Sequence, residues 1–292
     1  MSTIRIMSRK RFSFTFVLLL AVASAKAEPA MWVIKDADST IYLIGTMHLL
    51  KHDTEWNAEK VKKTVHESTK LWLEVPDLDN EAALAPLMMK LGIDQAHPLS
   101  SKLNEEQRKK LEKIAGTYGV PVATLEPMQP WLAAVFLAVG PIMKAGYDPK
   151  AGVERMLSAQ AKAEGDQVRG FETAEEQLQI LAGLSEAEQI AFLTSVFDDL
   201  EKGVDLVDKL AKAWIDGDIN TITQLSVDDI KKEVPTVYQK FIVRRNIAWS
   251  EKIAGMLKGS GVQLIAVGAA HLVGPDSVQA QLAKRGIKAE RY

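Results

Sequence analysis

Residues 41–48, IYLIGTMH, have a counterpart in residues 264–271, LIAVGAAH, near the other end of the chain. Each segment is a short apolar run that passes through Gly to His. Apolar runs of this length that are bounded by Gly are typical of buried strands. His48 and His271 then lie just past the carboxyl ends of two strands, which is the edge of an open α/β sheet where ligands bind.

Three further runs of strand type lead to glutamates, namely Glu74, Glu126 and Glu172. The runs are residues 70–75 (KLWLEV), 120–126 (VPVATLE) and 167–172 (QVRGFE). Helical patterns separate them, which predicts βαβ units and a mostly parallel sheet. If the runs are parallel, all three glutamates and both histidines lie along one edge of that sheet.

The fold class predicted from these runs is α/β. We expect a mostly parallel central sheet that begins with an N-terminal β-hairpin and is flanked by helices. A helical insertion over residues 173–258 precedes the last strands. Residues 28–292 should form a single domain. The most apolar segment of this part, residues 131–143, is too short to cross a membrane and is expected to be a core helix or the lining of a groove.

The first 27 residues predict a cleaved secretory signal peptide. A basic start precedes an apolar run over residues 12–23, and Ala25 and Ala27 supply the small residues before a cleavage site. Cleavage after Ala27 would give a periplasmic or secreted protein without a membrane span. It would also remove five basic residues and no acidic one, so the net charge changes from -2 to -7. That balance argues against nucleic acid as a partner, and the chain contains no cysteine.

The residue types at the predicted edge are suited to metal chemistry. Two neutral imidazoles and one carboxylate can hold a divalent transition metal while leaving positions open for water and substrate. Glu172 or Glu126 could then act as the general base. The alternative is that each histidine only forms a hydrogen bond within its own turn. Of the remaining histidines, His52 and His66 are expected to be solvated rather than ligands. His97 precedes Pro98 in a loop and carries no sign of a function.

Arg245 and Asn246 interrupt the apolar face of the helix predicted over residues 237–257. Arg is rarely buried without a partner. A buried guanidinium here would suit a carboxylate at the sheet edge or an anionic group of the substrate. The alternative is an arginine whose stem packs while its charged head reaches water.

Together these motifs resemble the TraB/GumN family, to which the Tiki metalloproteases are related. The resemblance covers residues 31–292 and is carried by the two Gly-x-x-His motifs, by Glu74 in LWLEVP, by Glu172 in FET, and by Arg245-Asn246. It implies that His48, Glu74 and His271 hold a divalent metal ion such as manganese, cobalt or zinc. Glu172, Arg245 and Asn246 are the expected catalytic residues.

The function expected from the resemblance is a metal-dependent hydrolase of the peptidase type. Relatives in the family are linked to peptides or to polysaccharides, so either class could supply the substrate. The alternative is a non-catalytic periplasmic binding protein that captures a peptide or polysaccharide at the same sheet edge.

Overall fold

The centre of the protein is a six-stranded sheet, seen in a computed structural model that describes residues 28–76, 81–203 and 205–292. The strands are β1 Met31–Lys35, β2 Ser39–Thr46, β3 Lys70–Leu73, β4 Gln167–Gly170, β5 Gly261–Gly268 and β6 Glu290–Arg291. Their order is β4-β3-β5-β2-β1-β6. Neighbours from β4 to β2 are parallel, whereas β1 is antiparallel to β2 and β6. The predicted α/β class and N-terminal hairpin are confirmed, while the predicted signal peptide, residues 1–27, lies outside the described residues.

Helices surround the sheet on both faces. They are α1 Glu59–Glu67, α2 Glu81–Gly92, α3 Leu99–Lys102, α4 Glu105–Tyr118, α5 Val122–Leu125, α6 Pro130–Lys144, α7 Val153–Glu164, α8 Ala174–Ala182, α9 Glu186–Lys202, α10 Asp205–Ile215, α11 Ile219–Thr223, α12 Asp229–Glu233, α13 Pro235–Tyr238, α14 Arg244–Met256 and α15 Val278–Ala283. Two π-helical turns, Gln224–Asp228 and Gln239–Val243, and two 3-10 turns, Pro149–Ala151 and Ala269–Leu272, complete the set. The described residues between β4 and β5 thus form α8 to α14 without a strand.

Both faces of the sheet are buried, as the unbroken apolar runs of β2 and β5 require. Successive side chains of a strand point to opposite faces. Ile44 therefore packs in one core cluster with residues of α1, α7 and α10. Leu43 packs in another cluster with Trp249 and Ile253 of α14.

A second, purely helical core lies beside the sheet and is built from α4, α6 and α9. Asn104 caps the start of α4, where it forms a capping box with Gln107. The apolar helix α6 buries Trp131 and Leu137, so most of it serves the core, although Phe136 remains 41 % exposed. No single helix within the described ranges is long and apolar enough to cross a membrane; α8 and α9 satisfy the length and composition only together, and they meet at 95°.

The prediction of a strand over residues 120–126 is wrong. Residues 122–125 form the one-turn helix α5, which starts after Pro121, and Leu125 is buried in the helical core. Four apolar residues are too few for their periodicity to separate a strand from a helical turn. Glu126 accordingly lies away from the sheet edge, where its carboxylate accepts hydrogen bonds from the backbone N–H and hydroxyl of Ser100.

Candidate functional site

The two Gly-x-x-His segments lie side by side because β2 and β5 are parallel neighbours, with Thr46 opposite Gly268. Strand β3 flanks β5 on its other side and delivers Glu74 to the same edge. A Cβ atom placed on Gly268 would lie 3.0 Å from Glu74 Oε1, 3.7 Å from His271 Cδ2 and 3.8 Å from His48 Nε2. Glycine leaves room here for the three side chains to converge, whereas a Cβ atom would crowd the Glu74 carboxylate.

His271 is held as a neutral imidazole with a defined tautomer. Its ring is buried, and Nδ1 lies 2.6 Å from Asn246 Oδ1. The Asn246 amide nitrogen donates to the backbone carbonyl of Asp276 at 2.8 Å, which orients the amide oxygen towards the ring. His271 therefore carries its proton on Nδ1 and presents a lone pair on Nε2. Burial lowers the pKa of His271 to about 3.

His48 has a different environment, since its side chain is 57 % exposed. Nδ1 lies 2.7 Å from the carboxylate of Glu154, which also accepts a hydrogen bond from the Thr46 hydroxyl. The negative charge of Glu154 raises the pKa of His48 to about 9. Gly152 allows this pairing, because a side chain there would collide with the His48 carbonyl as α7 begins.

Glu74 is a buried carboxylate whose two oxygens are both occupied. Oε1 accepts the Gly268 backbone N–H at 2.7 Å, while Oε2 accepts from Arg245 Nη2 at 2.6 Å and from Gln177 Nε2 at 2.9 Å. Burial alone would raise the pKa of Glu74, but the Arg245 guanidinium and the Gly268 amide hold it below its ordinary value. Glu74 is thus ionised without being exposed to water.

Arg245 joins the other side chains of the site, and all five of its N–H groups have acceptors. Nε donates to Glu172 Oε1 at 2.9 Å, and Nη2 is shared between Glu74 and Glu172. Nη1 donates to the carbonyl of Phe241 at 3.1 Å and to His271 Nε2 at 3.0 Å. The guanidinium also lies over the rings of Phe241 and Trp249, with centroid distances of 4.9 and 4.5 Å. A cation satisfied in this way is fixed in position.

Glu172 forms the outer side of the cluster. Both of its oxygens accept N–H groups of Arg245, and Oε1 also accepts the Trp249 indole N–H at 3.0 Å. Its side chain is 14 % exposed. To accept a proton from a water molecule, Glu172 would first have to release one of these hydrogen bonds.

The structure brings the six predicted site residues into one cluster at the carboxyl edge of the sheet, namely His48, Glu74, Glu172, Arg245, Asn246 and His271. Glu126 does not belong to this cluster, because the residues before it form a helical turn rather than a strand of the sheet. The other histidines are exposed and form separate pairs, His52 with Asp148, His66 with Glu164 and His97 with Asp94.

Two members of the cluster, Glu154 and Gln177, are not among the residues predicted from the sequence. Both lie near the start of a helix, α7 or α8, and neither ends an apolar run. One sequence feature could have pointed to Glu154: it is a charged residue in the first turn of a helix, two positions after a glycine. No sequence feature separates Gln177 from the other polar residues of α8.

The cluster offers imidazole and carboxylate donors of the kind that bind a divalent metal ion. The donor chemistry fits in part: each histidine engages an oxygen through Nδ1, as metal-binding histidines do. Nε2 of His48 remains for an ion, whereas Nε2 of His271 accepts Arg245 Nη1. The side chains of His48, Glu74 and His271 lie farther apart than the ligands of a formed metal site. Within residues 28–76, 81–203 and 205–292, no three His, Cys, Asp or Glu side chains lie together as a metal-binding group. A metal ion on His271 would need the lone pair that now accepts Arg245 Nη1.

The fold and the cluster define a class: an α/β protein in which two Gly-x-x-His turns, a buried carboxylate and a buried arginine meet at the carboxyl edge of the sheet. The profile of the TraB/PrgY/gumN family matches residues 30–291. The chain therefore belongs to that family, as its motifs predicted.

Similar proteins from two bacteria match most of the chain. The uncharacterized protein YbaP of Escherichia coli is 24 % identical over 262 residues, which cover 87 % of this chain and 92 % of YbaP. An uncharacterized protein of Treponema pallidum is 21 % identical over 271 residues, covering 88 % of this chain and 81 % of the relative. No solved structure matches the chain.

Proposed function

We propose that this protein is a secreted or periplasmic hydrolase of the peptidase type that depends on a divalent metal ion. His48, Glu74 and His271 would hold the ion, which could be manganese, cobalt or zinc. The observation that carries the proposal is the arrangement of the two imidazoles around Gly268. Each has its Nδ1 engaged by an oxygen, from Glu154 or Asn246, and both rings lie with the carboxylate of Glu74 around the Cβ position of Gly268.

The charges of the cluster support a divalent cation. The carboxylates of Glu74, Glu154 and Glu172 contribute three negative charges, and Arg245 contributes one positive charge. The raised pKa of His48 keeps its ring protonated at pH 7, so one negative charge remains without a metal. Release of that proton leaves two negative charges, and buried charge is costly unless it is compensated. One divalent cation would balance them.

The residues of the chain have separate roles in this proposal. A bound divalent ion supplies Lewis acidity and lowers the pKa of water towards neutrality. Arg245 orients the Glu74 carboxylate and stabilises negative charge next to it. Asn246 fixes the tautomer of His271, and Glu154 orients His48. Glu172 would accept the proton of the attacking water after releasing Arg245 or Trp249.

A measurement of bound metal tests the proposal. Protein purified without a His-tag and stripped by a chelator is given manganese, cobalt or zinc in turn, desalted, and analysed for metal. We expect about one equivalent in the parent and a loss in His48→Ala and His271→Ala. His52→Ala is the matched control, since His52 is exposed and only four residues from His48. A parent that retains no metal under any of these conditions contradicts the proposed metal site.

Hydrolysis is tested separately on a diverse pool of peptides analysed by mass spectrometry. The metal-loaded parent should cleave a subset of the peptides, and chelator should stop the cleavage. Failure to cleave any peptide, in a pool that a known metallopeptidase degrades, refutes the hydrolase.

A non-catalytic binding protein is the second candidate, and the saturation of Arg245 favours it. All five guanidinium N–H groups are bonded, and Glu74 and His271 already satisfy each other through Arg245. Such a network needs no metal to be stable. This candidate predicts saturable binding of a peptide or polysaccharide that is recovered intact; recovery as fragments rules it out.

A further inference from the structure

A groove lies next to the cluster, between α8 and the segment formed by the π-helical turn Gln239–Val243 and α14. Its volume is about 390 Å³, near the lower end of the range for small-ligand sites, about 300–1,000 Å³. Ile180, Gly183 and Ala248 give it an apolar wall. Lys240 and Arg244 are its cationic residues, and Glu172 with Arg245 closes the end that adjoins the candidate site.

The cationic residues of the groove differ in how far their charges are compensated. Arg245 is fully bonded within the cluster, and Lys240 lies 3.0 Å from Glu188. Arg244 is exposed, and no ion pair or hydrogen bond links it to another residue of the described chain. Arg244 is therefore the cation of the groove whose charge no carboxylate within the described residues offsets, since Lys240 pairs with Glu188 and Arg245 with Glu74 and Glu172. Arginine binds carboxylates with two parallel hydrogen bonds.

We propose that this groove binds the C-terminal carboxylate of a peptide. Arg244 is the main partner of that carboxylate, with Lys240 adding positive charge beside it. The side chain of the last peptide residue packs against Ile180 and Ala248, so an apolar residue is preferred there. A sugar acid offers the same charge, but it would place hydroxyl groups against this apolar wall without acceptors or donors, and burying unpaired hydroxyls is unfavourable.

The groove adjoins the candidate site, so the last residue of a bound peptide would lie directly beside that site. Arg245 separates the groove from Glu74 and His271 by the width of a single guanidinium group. This inference rests on the proposed function, because it names the substrate class of the same site: peptides with a free C-terminus.

Binding of two labelled peptides to the purified protein tests the inference. The probe is a pentapeptide of four alanines and a final leucine with fluorescein at its N-terminus, prepared once as the free acid and once as the C-terminal amide. Anisotropy is measured with chelator present, so that no metal-dependent cleavage occurs. We expect the acid to bind at least about tenfold more tightly than the amide, the size of one charged hydrogen bond.

Three variants test whether the peptide binds in this groove. Arg244→Gln should reduce binding of the acid to that of the amide, and its exposure makes a folding defect unexpected. Ala248→Trp should weaken both peptides by filling the groove without a change of charge. Lys258→Gln removes an exposed positive charge beyond the end of α14 and should bind like the parent.

Equal binding of acid and amide, absence of binding by both, or unchanged binding by Arg244→Gln overturns the inference. Binding of a labelled trigalacturonate in place of the peptides overturns it in favour of a glycan. The two proposals fail separately: a peptide acid that binds but is never cleaved refutes only the hydrolase. Cleavage of peptide acids and amides at equal rates refutes only the carboxylate site.

Discussion

At the scale of single residues, Arg245 determines how the charges of the cluster are compensated. It is the common donor to Glu74, Glu172 and His271, and its side chain is 4 % exposed. A buried carboxylate that loses its cation keeps its desolvation cost and has lost the interaction that offset it. The consequence is a site that is stable without a metal only while this arginine is present.

Arg245→Lys should destabilise the protein by about 3 kcal/mol, although it preserves the charge. An ammonium group has three donors and no planar fork, so it cannot satisfy two carboxylates, a carbonyl and an imidazole at once. The free energy of unfolding is measured by urea titration at pH 7. Arg285→Lys is the control, because it alters a surface pair with Glu251 and should cost less than about 1 kcal/mol. Equal effects of the two substitutions would contradict the central role of Arg245.

His271 should make the protein sensitive to mild acid. Its pKa is lowered to about 3 by burial, whereas the unfolded chain titrates near the ordinary value of 6.5. Below pH 6.5 the unfolded state takes up a proton that the folded state does not, so stability is lost as the pH falls. The loss should reach roughly 2 kcal/mol by pH 5.

Urea titrations at several pH values between 5 and 7 measure this slope. His271→Gln should have a shallower slope, whatever its absolute stability, because the group that titrates only in the unfolded chain is gone. An unchanged slope in His271→Gln would assign the acid sensitivity to other groups.

At the scale of elements, the strand ends position the site, and the glycine that ends β5 leaves space for it. Gly268 has φ of -47°, which any residue can adopt, so the requirement for glycine is one of space. The nearest atom to a Cβ there would be Glu74 Oε1 at 3.0 Å. At that distance the carboxylate has to shift by a few tenths of an ångström, which strains its hydrogen bond with the Gly268 amide.

Gly268→Ala should therefore destabilise the protein by about 1–2 kcal/mol and abolish metal retention. Gly255→Ala is the matched control, since Gly255 lies in α14 with open space around its Cβ position. That control should be stabilising by about 0.5–1 kcal/mol, because alanine favours helix. Urea titration and metal analysis measure both effects. Full metal retention in Gly268→Ala would show that the site does not require this space.

Only some of the elements and site residues could be predicted from the sequence. The strands β2 and β5 were predictable because each is a run of apolar residues that ends in Gly-x-x-His. Glu126 was assigned to the sheet edge wrongly, since its preceding run is as short as one helical turn. Glu154 and Gln177 could not be predicted, because their roles depend on where α7 and α8 pack rather than on their own sequence neighbours.

At the scale of the whole molecule, the cluster joins distant parts of the chain. The order of the sheet places β2, from the N-terminal hairpin, next to β5, which is formed about 220 residues later. This adjacency was compatible with the sequence but not required by it. Residues contributed by β2, β3, β5 and α14 all have to assemble before the cluster exists. An ion bound by His48, Glu74 and His271 would then favour the folded state over the unfolded one.

Cobalt at 100 times its dissociation constant should stabilise the protein by about 2.7 kcal/mol and raise the midpoint of thermal unfolding. The rise should be larger at pH 8.5 than at pH 6.5. Glu154 raises the pKa of His48 to about 9, so below that pH a proton competes with the metal for the ring, and affinity falls about tenfold for each pH unit. Thermal melts with cobalt and with chelator at both pH values measure the effect. His52→Ala should reproduce the parent, while His48→Ala should lose the cobalt-dependent rise at either pH. A rise that persists unchanged in His48→Ala would place the ion elsewhere on the protein, and a rise independent of pH would mean that His48 does not bind it.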